Sequence, residues 1–70
     1  MQSNVTIRFV VAHRPAEHKP RYVANPPGDW AELEFARRFE LEEEAQAERA
    51  RVSKNRGVPL EELFVEPLTA

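Results

Sequence analysis

A chain of 70 residues with no cysteine, 41% hydrophobic and 31% charged residues and a formal net charge of −2 has room for one small core. It excludes disulfide bridges and thiolate metal sites. Its slightly acidic balance, with a pI near 5.7, argues against a protein whose main task is to coat nucleic acid.

The first element in chain order is a strand over residues 5–13. Val5, Ile7, Phe9, Val11 and His13 alternate with Thr6, Arg8, Val10 and Ala12, and period two with β-branched residues predicts a half-buried strand. Pro15 ends it, because proline has no N–H to give to a ladder. Residues 15–28 hold four prolines and read as loop, interrupted by a second extended stretch at 21–24. That stretch is placed to pair antiparallel with the first across "RPAEHKP", a loose hairpin connection.

Asn25-Pro26-Pro27-Gly28 makes a rigid approach to a long helix over 30–56. Asp29 is a suitable N-cap and Glu32 completes a capping-box pattern. At the far end Arg49, Arg51, Lys54 and Arg56 place cations on the negative end of the dipole, and Asn55 or Gly57 supplies the left-handed cap. A helix of this span is roughly 40 Å long, against roughly 30 Å for a nine-residue strand. The tail over 59–66 reads as a short helix or a strand: Leu60, Leu63 and Phe64 have helical spacing, while Leu63, Phe64 and Val65 suit an edge strand closed by Pro67. The expected fold is α+β, a short antiparallel hairpin or sheet on one long helix with a C-terminal turn or edge strand, in one small domain (1–70).

On that helix Trp30, Leu33, Leu41, Ala45 and Val52 gather within an arc of roughly 120°. Phe35 and Phe39 sit four apart on the opposite side, with Ala31 and Ala50 along it. A sheet covers one side of a helix only, so the Phe35/Phe39 face needs a second cover: the C-terminal tail, another copy, or another protein. Arg38 and Glu42 are the flanking polar contacts. The acidic cluster Glu40, Glu42, Glu43 and Glu44 reads as a solvated face.

Catalytic signals are missing. His13 and His18 lie five apart across a proline-rich loop, which matches neither helical nor strand metal-ligand spacing. Ser3 and Ser53 lack a nucleophile elbow, and two distant glycines cannot build a phosphate loop. No enzyme activity, cofactor or metal is expected. A basic end at Arg49, Arg51, Lys54 and Arg56 is the candidate nucleic-acid contact, yet cations there also follow from the dipole alone. "GVPLEEL" suggests the second helix of a helix-turn-helix, but no recognition helix follows it.

The longest apolar run, Phe9-Val10-Val11-Ala12, is far too short to span a bilayer. The N-terminal residues lack the basic and apolar regions of a signal peptide, so no membrane partner is expected and a cytoplasmic location is the default. Eight arginines against two lysines is a usage common where coding DNA is GC-rich, as in some bacteria and their phages. The strand-first, acidic-helix layout with "DWAELEFARRFE" slightly resembles small phage tail-assembly chaperones over the first half of the chain, without a fixed motif. The expected function is a non-enzymatic protein–protein interaction or assembly module, partnered by another protein or a second copy of itself, of phage or GC-rich bacterial origin. The alternative is a small nucleic-acid-associated regulator.

Overall fold

The computed structural model describes residues 7–24 and 30–69. In chain order these form the strands β1 (Ile7–His13), β2 (Arg21–Val23) and β3 (Trp30–Ala31), a 3-10 turn at Leu33–Phe35, the helix α1 (Glu42–Arg56), a second 3-10 turn at Leu60–Glu62, and the strand β4 (Leu63–Thr69). The strands make one antiparallel sheet in the order β3-β2-β1-β4. One helix on an antiparallel sheet is the α+β class expected from the sequence.

β1 is central, and its register explains the core. Alternation sends Phe9, Val11 and His13 toward the helix and Val10 and Ala12 to the other face. On the helix side Val11, Val23, Phe39, Ala45, Val52 and Leu63 are buried together, flanked by Phe9, Trp30, Val58 and Val65. On the far side Val10 and Ala12 are buried with Tyr22 and Ala36, beside Leu68. The strand is therefore buried on both faces from Val10 to His13, not on one as its alternation suggests. Each fully buried Val or Leu contributes about 1.5–3 kcal/mol, so Val10, Val11 and Leu63 carry much of the stability.

The tail resolves as both of its expected forms, a turn and then a strand. β4 pairs with all of β1, from Ile7↔Thr69 to His13↔Leu63. Pro67 lies inside this strand without breaking it. Phe9 exchanges both backbone hydrogen bonds with Phe39, each 2.8 Å, so the Phe9↔Pro67 position on the other side of β1 is a non-hydrogen-bonded pair. The proline nitrogen thus faces the outer edge of the sheet, where no ladder donor is required.

The largest correction concerns the long helix. Only Glu42–Arg56 is helical, 15 residues and about 22 Å, close to the length of a seven-residue strand. Trp30–Ala31 instead pairs with β2 through Tyr22↔Ala31 and Val23↔Trp30. Ala36 then bridges Ala24, and Phe39 bridges Phe9. The helix begins where three acidic side chains, Glu42, Glu43 and Glu44, meet the positive end of the dipole. The Leu41 N–H donates to the Glu44 carboxylate at 3.2 Å. Glu32 caps nothing; it sits in extended backbone before the 3-10 turn. The expected N-cap, Asp29, lies outside the described residues, as do residues 5 and 6 of the first strand and the 25–28 approach. At the other end Gly57 takes the left-handed cap with φ 67°, and Ser53 Oγ donates to the Val58 carbonyl at 2.6 Å.

Candidate functional site

The structure separates the residues expected to form a partner face. Phe39 is 6% exposed and part of the core, brought there by its bridge to Phe9. Phe35 is 68% exposed on a 3-10 turn that buries none of its residues, with Leu33 beside it at 39%. Arg38 and Glu42 are exposed. Phe35 and Phe39 therefore share no helix face: Phe39 is buried in the cluster that holds Leu63 of β4, and Phe35 is left exposed. Leu41, expected on the core stripe, is exposed as well; Ala45, Glu48 and Val52 are the buried positions of α1.

The basic end of the helix is largely engaged within the chain. Arg49 donates from Nε to the Leu63 carbonyl at 2.7 Å and from Nη2 to the Leu60 carbonyl at 2.8 Å. It ties the helix to the start of β4, adding a second hydrogen bond to the Leu60 carbonyl, which already accepts the Leu63 N–H. Arg51 pairs with Glu48, and Arg56 approaches the Trp30 ring at 6.0 Å. Lys54 and Arg56 are both exposed and make no ion pair among the described residues.

Two polar side chains are buried among the described residues, His13 and Glu48. Glu48 faces a shallow groove lined also by Arg37, Phe39, Glu44, Ala47 and Arg51. One of its oxygens takes the Arg51 hydrogen bond; the other, Oε2, is buried with no partner. An unmet buried acceptor costs about 1–3 kcal/mol. Within the groove the Arg37 guanidinium lies over the Phe39 ring at 4.8 Å.

His13 anchors the more organised cluster. Its register partners, Arg21 on β2 and Leu63 on β4, come from the two strands that flank β1. Arg21 Nε–H donates to Nδ1 at 3.3 Å. Since a guanidinium can only donate, Nδ1 is the acceptor and Nε2 carries the proton, which goes to Glu62 Oε1 at 3.0 Å. The His13 and Trp30 rings lie 5.2 Å apart, and the Arg21 guanidinium stacks over Trp30 at 4.7 Å. Beside this cluster the β1–β2 loop closes a cleft of about 450 Å³, lined by His13, Pro15, His18, Lys19, Arg21 and Glu62. Both nitrogens of His13 are committed, so it offers nothing to a metal, and among the described residues no three His, Asp or Glu side chains converge on one point.

On the opposite face Arg14 holds Glu66 with two hydrogen bonds, 2.5 and 2.9 Å, and reaches the Tyr22 hydroxyl at 3.4 Å. The Glu66 hydrogen bond keeps this guanidinium still further above its already high range. It ties the end of β1 to β4.

Sequence reasoning missed Glu62, Arg21 and Trp30 as neighbours of His13. Glu62 is 49 positions away, and only the register of β1 with β4 joins them. The readable signal was the phase of the strand, which put His13 on the same side as Val11. No helix among the described residues is long and apolar enough to cross a membrane. Comparison with protein-family models, curated proteins and solved structures finds no match to this chain.

Proposed function

We propose that this chain is a non-enzymatic protein–protein interaction or assembly module, with another protein or a second copy of itself as the partner. The observation that carries the reading is the Leu33–Phe35 turn, which presents Phe35 and Leu33 to solvent and buries nothing. A domain this small has few large apolar side chains to spare, and an aromatic left out of a marginal core is the type of residue that anchors interfaces. Arg38 and Glu42, exposed just beyond the turn, supply a polar rim. The partner surface is thus centred on Phe35 rather than on a Phe35/Phe39 pair. A phage or GC-rich bacterial origin remains part of this reading on residue usage alone.

The rival reading, a small nucleic-acid-associated regulator working through Arg49, Arg51, Lys54 and Arg56, has weaker support. Arg49 and Arg51 are held by partners inside the chain, and the net charge is −2.

Phe35→Glu tests the proposal. Sedimentation across a concentration series reads self-association, and paired pull-downs with the unmodified and Phe35→Glu chains read a foreign partner. The expected result is loss of one of these associations with the unfolding midpoint unchanged. A chain that stays monomeric at every concentration, and whose variant captures the same proteins as the original, overturns the reading.

A further inference from the structure

We propose that the cleft beside His13 binds the terminal phosphate monoester of a small molecule, with Arg21 as its bidentate contact. Arg21 is already oriented for this. Its Nε is held by His13 Nδ1 and its guanidinium plane by the Trp30 ring. That leaves both terminal amino groups without a hydrogen bond among the described residues. A guanidinium fixed in this way presents the two-pronged donor geometry that phosphate oxygens match, and it gives up little side-chain entropy on binding.

Lys19 and His18 bring further donors to the same cleft from the loop. Lys19 makes no ion pair among the described residues, so its ammonium is available. The one carboxylate in the lining, Glu62, accepts the His13 Nε2 hydrogen bond through Oε1. Within the lining two cations, Lys19 and Arg21, stand against the one carboxylate, a positive excess that attracts a monoester carrying close to two negative charges. The volume, about 450 Å³, accommodates a phosphate with a small organic body and lies within the usual range for small-molecule sites. A phosphodiester backbone carries only one charge per phosphate and calls for an extended basic track, which this short cleft does not provide.

The site is independent of the Phe35 surface, so either can fail without the other. The single tryptophan of the chain, Trp30, lies against the binding arginine and reports on it directly. The probes are phenyl phosphate and inorganic phosphate, titrated at constant ionic strength and followed by tryptophan fluorescence and amide chemical shifts. The expected result is saturable binding in the millimolar range or tighter, with shifts concentrated at residues 13–21, 30 and 62. Lys19→Ala should weaken binding about tenfold, and Lys19→Glu should abolish it. Both variants should keep the native unfolding midpoint, since Lys19 is exposed. A response matched by chloride, shifts centred elsewhere, or unchanged affinity in Lys19→Glu overturns the site. So does a single-stranded oligonucleotide lacking terminal phosphates that binds more tightly than phenyl phosphate, because the ligand is then a phosphodiester.

Discussion

Residues 30–41 and residues 42–56 look alike in sequence and behave differently in the fold. Both are rich in Ala, Glu and Arg, all strong helix formers, and no Gly or Pro separates them. The second segment is the helix α1, with one stripe buried at Ala45, Glu48 and Val52. The first is a string of sheet contacts: Trp30 beside Val23, Ala36 beside Ala24, Phe39 beside Phe9. Propensity decides where packing is indifferent, and packing decides where large side chains need a place. As a helix, residues 30–41 would strand either Trp30 or Phe39 outside the core. As an extended segment with one tight turn they bury Phe39 and half-bury Trp30, and they complete hydrogen bonds that β1 and β2 would otherwise leave open.

Two aromatics of the first segment test this contrast most strongly. Phe39→Ala should destabilise the domain by about 3–5 kcal/mol, enough to unfold a chain of this size at room temperature, whereas Phe35→Ala should stay within about 0.5 kcal/mol. Urea titrations followed by circular dichroism compare the two. Equal losses from both substitutions would mean that the residues share one buried face, as a continuous helix requires.

The strength of the sequence signal differed in the same way between regions. β1 was legible because Ile7, Phe9 and Val11 recur at every second position, and β2 because a proline-rich loop of hairpin length precedes it. The C-terminal end of α1 was legible from Gly57 and the cations before it. The start of α1 was not, because Asp29 and Glu32 form a plausible cap of their own. The true signal lay in Glu42, Glu43 and Glu44, three acids in one first turn, which also read as an ordinary solvated face. The second apolar side of the imagined helix was a further warning, since one stripe is what a helix on a sheet can bury. The His13 cluster was hidden for another reason. His13, Arg21, Trp30 and Glu62 come from four elements, and only register assembles them.

The second segment can be probed through Arg49, whose two hydrogen bonds reach carbonyls of the second turn and β4. Arg49→Ala should cost about 1–3 kcal/mol, the range for hydrogen bonds from a charged donor, with Lys54→Ala near zero. Faster amide exchange at Leu63 and Val65 in the Arg49 variant would locate the loss at the helix–β4 junction. An unchanged midpoint in Arg49→Ala would return this arginine to the solvent and to the candidate nucleic-acid contacts.

Glu48 gives a smaller effect of opposite sign. Its carboxylate is buried with one oxygen unpartnered, while its partner Arg51 is more than half exposed. Glu48→Met keeps the side-chain volume, removes the buried charge and leaves Arg51 in water. Stability should rise by up to about 1 kcal/mol, read as a higher urea midpoint. A fall of that size would show that Glu48 is satisfied in solution and that its burial supports the fold.

The smallest effect locates the boundary between the two segments. Glu44 accepts from the Leu41 N–H at 3.2 Å and lies in the first turn of α1. Its loss removes a cap hydrogen bond and one charge from the favourable end of the dipole. Glu44→Ala should therefore cost about 0.5–1 kcal/mol. Glu32→Ala should cost nothing measurable, because Glu32 precedes the 3-10 turn in extended backbone and makes no cap hydrogen bond. Both substitutions remove the same group from an exposed position; helix propensity slightly favours alanine at 44 and has no bearing on the extended residue 32, so a net loss at 44 isolates the cap. Amide exchange adds the location: the Glu44 variant should fray from Glu42 toward Ala45, with residues 32–36 unaffected. The reverse pattern, with Glu32→Ala the more costly and protection lost around Leu33, would place a helix start near residue 30. It would remove the distinction between the two segments, because Phe35 and Phe39 would then lie on one helical face.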